Sequence, residues 1–252
     1  MILNHDVAGP QGGPAVVLLH SSVCDRRMWE PQWAPLAAAG FRVVRADFRT
    51  CGESPASEVP YSDHGDVREL LDHLGIRRSA FVGSSYGGRI ALTLAALHPE
   101  RVSALALLCP DRPGRPPSPE MREFGAAEDA LLDAGDLVGA AELNARQWLG
   151  PEATDDARGL VRDMQLGNFR SEPAAAGDQE LPEPAVDLSA VRAPVLAVGG
   201  AHDVPVFRRI AAELPGVVPG ATHVELPWAG HLPSLERPAE VTRMLLDFLP
   251  RS

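Results

Sequence analysis

Short apolar runs rich in Val, Leu and Ala alternate along this chain with segments in which apolar residues recur at helical spacing. A strand buried on both faces is apolar throughout, and helices between such strands cover the faces, so the alternation predicts a mostly parallel β-sheet with helices on both sides. Strands are predicted at residues 15–20, 41–47, 80–84, 102–109, 194–199 and 222–226, with an edge strand near 2–7. Helices are predicted at 32–39, 62–74, 86–97 and 239–249. The predicted fold class is therefore α/β.

An insertion interrupts this alternation after Cys109. Residues 110–119 include five prolines, and residues 172–184 are again rich in Pro, Ala and Glu. Both stretches are predicted to be extended connectors. The helical patterns between them predict three helices, with Asp136 and Thr154 as N-caps, at residues 121–133, 137–149 and 155–167.

The insertion leads to a predicted domain organisation. A core of residues 1–109 and 188–252 carries the sheet, and residues 110–187 form a helical cap. Because the cap leaves the end of one strand and returns to the next strand, it is placed to cover the carboxyl edge of the sheet, where ligands bind in open α/β sheets. A length of 252 residues suits one such domain with an insertion.

The charged residues exclude several function classes. All 23 basic residues are arginines, and without a lysine the chain can form neither a Schiff base nor a standard phosphate-binding P-loop. The formal net charge is −11, and residues 120–187 hold 16 acidic side chains against 5 arginines. This charge disfavours nucleic acid and anionic membranes as partners. No apolar run reaches the length of a transmembrane helix and the first residues do not resemble a secretory signal, so the expected location is cytoplasmic.

The three cysteines, Cys24, Cys51 and Cys109, lie far apart and lack the paired spacing of zinc sites and disulfide frameworks. We expect them to be reduced and structural. We also expect no metal and no cofactor, and a small molecule as the binding partner.

The strongest motif is Gly83-Ser84-Ser85-Tyr86-Gly87, which lies at the junction of a predicted strand and a predicted helix. Glycines two positions before and two after the central serine allow a sharp strand-to-helix turn that presents the Ser85 hydroxyl. The amide of Tyr86, at the N-terminus of the helix, has no intrahelical acceptor and can stabilise negative charge on a carbonyl oxygen. Ser85 is therefore the predicted nucleophile.

A serine nucleophile needs a histidine base, and the base needs a carboxylate to orient it. Of the eight histidines, His231 lies in a loop between the last strand and the last helix, at the predicted ligand edge; the alternatives are His202 and His223. Asp203 follows the strand predicted at 194–199, and Asp111 is the alternative acid. The chain order Ser85, Asp203, His231 is the order of nucleophile, acid and base in α/β-hydrolases, and it favours Asp203.

The motif and three further segments resemble the α/β-hydrolase superfamily, in particular its small esterases and enol-lactonases, over nearly the whole chain. The three segments are similar to the family's oxyanion loop, its D-x-R-G-x-G-x-S segment and its catalytic-histidine segment. They are Leu18-Leu19-His20 with Met28-Trp29, Asp47-Phe48-Arg49-Thr50-Cys51-Gly52-Glu53-Ser54, and Gly230-His231-Leu232-Pro233 with Glu236-Arg237-Pro238. The resemblance implies the α/β-hydrolase fold with a helical cap, a triad of Ser85, His231 and Asp203, and an oxyanion hole formed by the amides of Ser22 and Tyr86.

Two residues depart from the family pattern. Ser21 stands where the family usually has glycine after the histidine, and Thr50 stands where glycine normally follows the arginine. Glycine allows backbone conformations that a residue with a Cβ atom resists, so the oxyanion loop is the feature most affected. We still expect a working oxyanion hole.

The resemblance implies hydrolysis of a carboxylic ester or lactone through an acyl-enzyme on Ser85. A serine at this position disfavours haloalkane dehalogenases and epoxide hydrolases, which use an aspartate nucleophile. The triad is shared by C–C bond hydrolases, hydroxynitrile lyases and cofactor-free haloperoxidases, and a ligand-binding sensor with little turnover is a further alternative. The candidate pocket residues are His20, Trp148 and Trp228, and the expected substrate is moderately apolar and uncharged.

Overall fold

A computed structural model describes residues 2–171 and 179–251. Its strands are β1 (His5–Ala8), β2 (Ala15–Leu19), β3 (Arg42–Ala46), β4 (Ser79–Ser84), β5 (Val102–Leu108), β6 (Val195–Gly200) and β7 (Ala221–Leu226). They form one sheet in the order β1-β3-β2-β4-β5-β6-β7, in which β1 is antiparallel to β3 and every other neighbouring pair is parallel. The prediction of a mostly parallel sheet is confirmed, and only the edge strand starts well after its predicted position, at His5.

The helices that connect and cover these strands are α1 (Glu30–Ala38), α2 (Asp63–His73), α3 (Tyr86–Leu97), α4 (Pro119–Asp133), α5 (Leu137–Trp148), α6 (Asp155–Ser171), α7 (Pro205–Val217), α8 (Pro233–Glu236) and α9 (Pro238–Phe248). Sequence analysis did not predict α7 or the single-turn α8. Pro215 lies inside α7, near its end, where proline is unfavourable for a helix. The available signal was Pro205 at the start of the helix, followed by buried apolar residues at helical spacing, namely Val206, Phe207, Ile210, Ala211 and Leu214.

The insertion contains α4, α5 and α6, as its helical patterns predict. The predicted caps are present: Asp136 accepts a hydrogen bond from the Gly139 amide at 2.8 Å, and the Thr154 hydroxyl accepts one from the Ala157 amide at 3.2 Å. The first connector ends at Pro119, where α4 begins. Most of the second connector, residues 172–178, lies outside the described residues. The assignment of residues 110–187 to a separate cap remains a prediction.

Alternate residues of the central strands enter two different hydrophobic clusters. In β2, Val16 and Leu18 belong to one cluster and Val17 and Leu19 to the other, because successive strand side chains point to opposite faces of the sheet. Helices α1 and α9 contribute to the first cluster, and α2 and α3 to the second, so helices cover both faces. Trp148 of α5 also belongs to the first cluster, so the insertion shares a core with the sheet.

The carboxyl ends of the central parallel strands lie side by side. Strand register pairs Leu19 with Gly83, and Leu108 with both Ser84 and Val198. The loops after β2, β4, β5 and β6 therefore meet at one edge of the sheet, the edge at which ligands bind in this class of fold. Within the described ranges, no helix combines the length and the apolar sequence that crossing a bilayer requires.

Candidate active site

Ser85 occupies a strained turn between β4 and α3. Its φ of 50° and ψ of −112° lie in a region that residues with a Cβ atom seldom adopt. The turn is held in place from the neighbouring strand, because the Ser85 amide donates a hydrogen bond to the Leu108 carbonyl oxygen at 2.9 Å. Strain of this kind costs of order 1–3 kcal/mol and persists where the surrounding structure enforces it, typically at functional sites.

His231 and Asp203 form a buried pair. The distance from His231 Nδ1 to Asp203 Oδ2 is 2.8 Å, and the two side chains are 2% and 1% exposed. This hydrogen bond places the Nδ1 proton toward the carboxylate and leaves Nε2 as the basic nitrogen. His231 lines the same cavity as Ser85, so the structure brings the predicted base and the predicted nucleophile to one site.

The alternative residues have other surroundings. Asp111 also lines the cavity, but its Oδ1 accepts hydrogen bonds from the Arg112 amide at 2.8 Å and from Arg115 Nε at 2.7 Å. His202 and His223 are absent from the described lining of the cavity. The geometry therefore favours Asp203 and His231 over these alternatives.

A buried carboxylate holds the loop that carries His231. Glu236 accepts hydrogen bonds from the Gly230 amide, at 2.9 Å to Oε2, and from the Leu232 amide, at 3.3 Å to Oε1. Burial raises the pKa of Glu236, and the hydrogen bonds from these amides oppose that shift. Sequence analysis assigned Glu236 no role of its own. Because the Gly230 and Leu232 amides flank His231, these hydrogen bonds to Glu236 fix the backbone that carries the His231 side chain.

Cys109 lies beside the His231–Asp203 pair. One potential ligand atom from each of these three residues lies within 4.8 Å of the other two. Burial raises the pKa of the Cys109 thiol well above its ordinary value, so the thiol stays protonated. Metal coordination by cysteine requires the thiolate, so the environment of Cys109 disfavours a metal at this cluster.

The predicted oxyanion residues Ser22 and Tyr86 line the cavity together with Ser85. The Gly87 amide donates to the His20 carbonyl oxygen at 3.1 Å, which ties the loop after β2 to the start of α3. Neither the Ser22 amide nor the Tyr86 amide has a hydrogen-bond acceptor among residues 2–171 and 179–251. Two unpaired amides beside a serine hydroxyl are the arrangement that an oxyanion hole requires.

The assignment of His20 to the substrate pocket is wrong. His20 is fully buried; its Nδ1 lies 2.7 Å from the Ser21 carbonyl oxygen, and its Nε2 accepts a hydrogen bond from the Phe48 amide at 2.9 Å. Burial lowers the pKa of His20, although the hydrogen bond to Ser21 opposes the shift. A neutral ring that donates from Nδ1 and accepts at Nε2 satisfies both partners. His20 therefore ties the loop after β2, the predicted oxyanion loop, to the segment at Phe48.

The two departures from the family pattern have different consequences. Ser21 is not among the residues with positive φ, so serine fits the oxyanion loop without backbone strain. Thr50 has a φ of 64°, which is the left-handed conformation that favours glycine. Backbone strain is therefore present at Thr50 and absent at Ser21, in the loop that carries Ser22.

The cavity has a volume of about 230 Å³. Its lining includes the predicted Trp148 and three residues that sequence analysis did not assign to it, Arg89, Arg115 and Phe207. The signal for Arg89 was its position one helical turn after Ser85, whereas Arg115 lies in a proline-rich stretch that is predicted to be a connector.

The prediction that Trp228 lines this pocket is wrong. The Trp228 indole packs under the Arg237 guanidinium, whose central carbon is 4.7 Å from the ring centroid, and Trp228 Nε1 donates a hydrogen bond to Glu240 at 3.0 Å.

Tyr86 is held by a second buried carboxyl group. The Tyr86 hydroxyl donates a hydrogen bond to Asp63 Oδ2 at 2.5 Å. Burial raises the pKa of Asp63 to about 7, although the hydrogen bond from Tyr86 opposes the shift. Tyr86, which is predicted to supply one oxyanion amide, is thus anchored to a group that titrates near neutral pH.

This titration should appear in the stability of the protein. The folded-state pKa of Asp63, about 7, lies above the ordinary value of 3.8, so between these values the folded protein binds more protons than the unfolded chain. Asp63 should therefore lower the free energy of unfolding as pH rises from about 4 to about 8, by up to about 4 kcal/mol. Urea unfolding of wild type and Asp63→Asn across this range measures the effect, because the stability of the variant relative to wild type should increase with pH. A pH-independent difference between the two proteins would contradict the assignment.

The comparison with known proteins agrees with this architecture. A family model described as the alpha/beta hydrolase fold matches residues 14–238. A putative carbamate hydrolase, RutD, from Variovorax paradoxus is 31% identical, over 100% of this chain and 97% of the relative. Carboxylesterase YbfK from Bacillus subtilis is 26% identical, over 96% of this chain and 82% of the relative. The crystal structure of the enol-lactonase from Burkholderia xenovorans is 29% identical with a TM-score of 0.76, over 98% of this chain and 95% of that structure. The chain therefore belongs to the alpha/beta hydrolase fold family.

Proposed function

We propose that this protein is a serine hydrolase that cleaves a carboxylic ester or lactone through an acyl-enzyme on Ser85. The observation that carries the proposal is the buried His231–Asp203 pair, 2.8 Å apart, in the wall of the cavity that Ser85 lines. Membership of the family, with a carboxylesterase and an enol-lactonase among its relatives, supports a hydrolase that acts on ester bonds.

The proposed acylation step uses Ser85 and His231. His231 Nε2 takes the proton of Ser85 Oγ as Oγ attacks the substrate carbonyl carbon. The amides of Ser22 and Tyr86 donate hydrogen bonds to the oxyanion of the tetrahedral intermediate. The carbon–oxygen bond to the leaving group then breaks, and the leaving alkoxide receives the proton from His231.

Deacylation repeats this chemistry with water. His231 removes a proton from the attacking water, and the ester bond to Ser85 Oγ breaks as the proton returns to Oγ. Asp203 keeps the imidazole in the Nδ1–H tautomer and stabilises the imidazolium in both steps. The residues that carry out the reaction belong to the chain itself, and we expect no metal or cofactor.

We further propose that α4, α5 and α6, within residues 110–187, act as the cap of this site. Met121 of α4 and Trp148 of α5 both line the cavity. Trp148 also contacts the catalytic histidine, because the two ring centroids are 4.8 Å apart. The insertion is therefore placed to shape the substrate site as well as to cover it.

A fluorophosphonate probe tests the proposal without a known substrate. Intact-mass analysis should show one adduct on the wild-type protein and none on Ser85→Ala or His231→Ala. The absence of an adduct on a folded wild-type protein would overturn the proposed activation of Ser85. An adduct without hydrolysis of any ester or lactone tested would favour the ligand-binding sensor.

A further inference from the structure

The cavity that holds Ser85 and His231 has charged side chains in its wall. Arg89, Arg115 and Asp111 line it, so the lining carries two guanidinium groups and one carboxylate beside the proposed reactive residues. The expectation of an uncharged, moderately apolar substrate does not account for these arginines. Burying a cation next to a reacting centre is costly, and carboxylate partners of both arginines offset part of that cost.

Some of the N–H donors of each guanidinium group are already hydrogen-bonded within the protein. Arg115 Nε donates to Asp111 Oδ1 at 2.7 Å, and Arg115 Nη1 donates to the Pro116 carbonyl oxygen at 3.0 Å. Arg89 Nε donates to Glu183 Oε1 at 2.6 Å. These bonds fix both side chains before any ligand arrives, which reduces the entropic cost of binding.

Several donors of these two arginines have no partner in the described structure. Among residues 2–171 and 179–251, no hydrogen bond is made by Arg89 Nη1, Arg89 Nη2 or Arg115 Nη2, and the nearest carboxylate oxygen to Arg89 Nη1, from Asp111, is 3.8 Å away. The two side chains are 28% and 14% exposed. A guanidinium has five donors arranged for a planar anion, so a carboxylate is the group that these unused donors suit.

Each of the two arginines has one carboxylate partner. Arg115 pairs with Asp111 in the cavity wall, and Arg89 pairs with Glu183, which lines a neighbouring recess. Asp203 is engaged by His231 and is not part of the lining. The two ion pairs leave these four groups with no net charge, so it is the unused Nη donors that favour a carboxylate in this cavity.

Arg89 and Asp111, the partner of Arg115, are tied to Ser85 through its backbone. The Ser85 carbonyl oxygen accepts hydrogen bonds from the Arg89 amide and from the Asp111 amide, each at 3.1 Å. Arg89 lies four residues along the helix from Ser85, a rise of about 6 Å. The cavity volume of about 230 Å³ is below the range of roughly 300–1,000 Å³ that drug-sized ligands occupy. Only a short chain fits between the reacting carbonyl and the arginines.

We propose that Arg89 and Arg115 form a carboxylate subsite, and that the substrate is a short ester or lactone that bears a second, free carboxylate. This inference rests on the proposed function and names the substrate class of the same site. Half-esters of short dicarboxylic acids and small lactones with a carboxylate side chain have the required groups.

The test compares two esters of equal shape. Monomethyl glutarate carries the carboxylate, and methyl 5-methylhexanoate has an isopropyl group in its place. We expect kcat/KM of the wild-type protein to be at least about 10-fold higher for monomethyl glutarate, since a hydrogen bond to a charged group contributes this much discrimination. Arg115→Gln and Arg89→Gln should each lower the ratio of the two kcat/KM values by about 10-fold to 100-fold.

Arg112→Gln is the matched control. Arg112 lies next to Asp111 in the same connector but is absent from the cavity lining, so this substitution should leave the ratio unchanged. A wild-type ratio of one or less, or equal ratios in wild type and both cavity variants, would overturn the subsite.

A binding measurement separates this inference from the proposed function. Calorimetry with Ser85→Ala should detect monomethyl glutarate, and the additional change Arg115→Gln should weaken binding by at least about 10-fold. Arginine-dependent binding without fluorophosphonate labelling of the wild type would overturn the hydrolase and keep the subsite. Labelling without arginine-dependent binding would overturn the subsite and keep the hydrolase.

Discussion

Replacing Ser85 by alanine is expected to lower kcat for a short-chain ester by about 10,000-fold to 1,000,000-fold, because the substitution removes the group that forms the acyl-enzyme. His231→Ala should cost a similar factor, since without the base the Ser85 hydroxyl keeps its proton. Initial rates with a chromogenic ester measure these losses, and circular dichroism shows whether each variant is folded. The double variant should be scarcely slower than either single variant, because the two residues act as one unit.

Asp203→Asn is expected to lower kcat by about 10,000-fold. The asparagine amide can donate to Nδ1, which favours the tautomer with its proton on Nε2, and Nε2 can then no longer act as the base. We propose this role for Asp203 because its Oδ2 lies 2.8 Å from His231 Nδ1. Asp111→Asn should cost much less than Asp203→Asn. The reverse order would make Asp111 the acid of the triad.

Ser84→Ala is the matched control for these substitutions. Ser84 is adjacent to the proposed nucleophile and fully buried, and its hydroxyl has no hydrogen-bond partner among the described residues. Removing this hydroxyl should change kcat by no more than a few-fold. A loss as large as that of Ser85→Ala would mean that the wrong serine has been assigned.

Gly87→Ala is expected to destabilise the protein by more than about 4 kcal/mol, because the new methyl group would overlap backbone atoms that cannot move independently. A Cβ atom on Gly87 would lie 2.3 Å from the Leu19 carbonyl oxygen and 2.7 Å from the His20 carbonyl oxygen. The Gly87 amide also donates to the same His20 oxygen at 3.1 Å. Relief of the overlap would therefore move α3 away from the end of β2 and open the turn that carries Ser85.

Gly125→Ala provides the matched control for stability. Gly125 lies in α4, and a Cβ atom there would meet nothing within 4 Å. Alanine should stabilise this helix by about 0.5–1 kcal/mol, because glycine loses more conformational freedom on folding. Urea unfolding of the two variants measures the contrast. Equal stability of Gly87→Ala and wild type would contradict the close packing at the turn.

Local features account for what could be predicted from the sequence. The strands of the central sheet were found because their apolar runs are continuous and end at polar or glycine residues. The turn at Ser85 was found because its requirements lie within five consecutive residues, and the structure shows that a Cβ atom on Gly83 or Gly87 would collide with backbone. His231 and Asp203 were chosen by their positions after strands, since the carboxyl ends of parallel strands meet at one edge.

Local sequence features do not predict the orientation of a side chain whose hydrogen-bond partners lie in another element. His20 follows β2 at the ligand edge, yet its ring turns inward to the Phe48 amide, 28 residues away in the chain. Trp228 was expected near the substrate because it is close to His231 in sequence, but Glu240 and Arg237 hold its indole elsewhere. In both cases the partner that decides the orientation is supplied by another element.

The composition of the cavity wall depends on tertiary packing for the same reason. The motif around Ser85 predicts a nucleophile whatever lies opposite it, because the turn is a local backbone property. Arg89 and Arg115 are long side chains on a helix and on an irregular connector, and sequence spacing does not determine where their guanidinium groups lie. Asp111 and Glu183 hold them at the cavity. The predicted nucleophile, base and acid are thus encoded in short local segments, whereas the charged groups of the cavity wall are placed by contacts between segments that folding brings together.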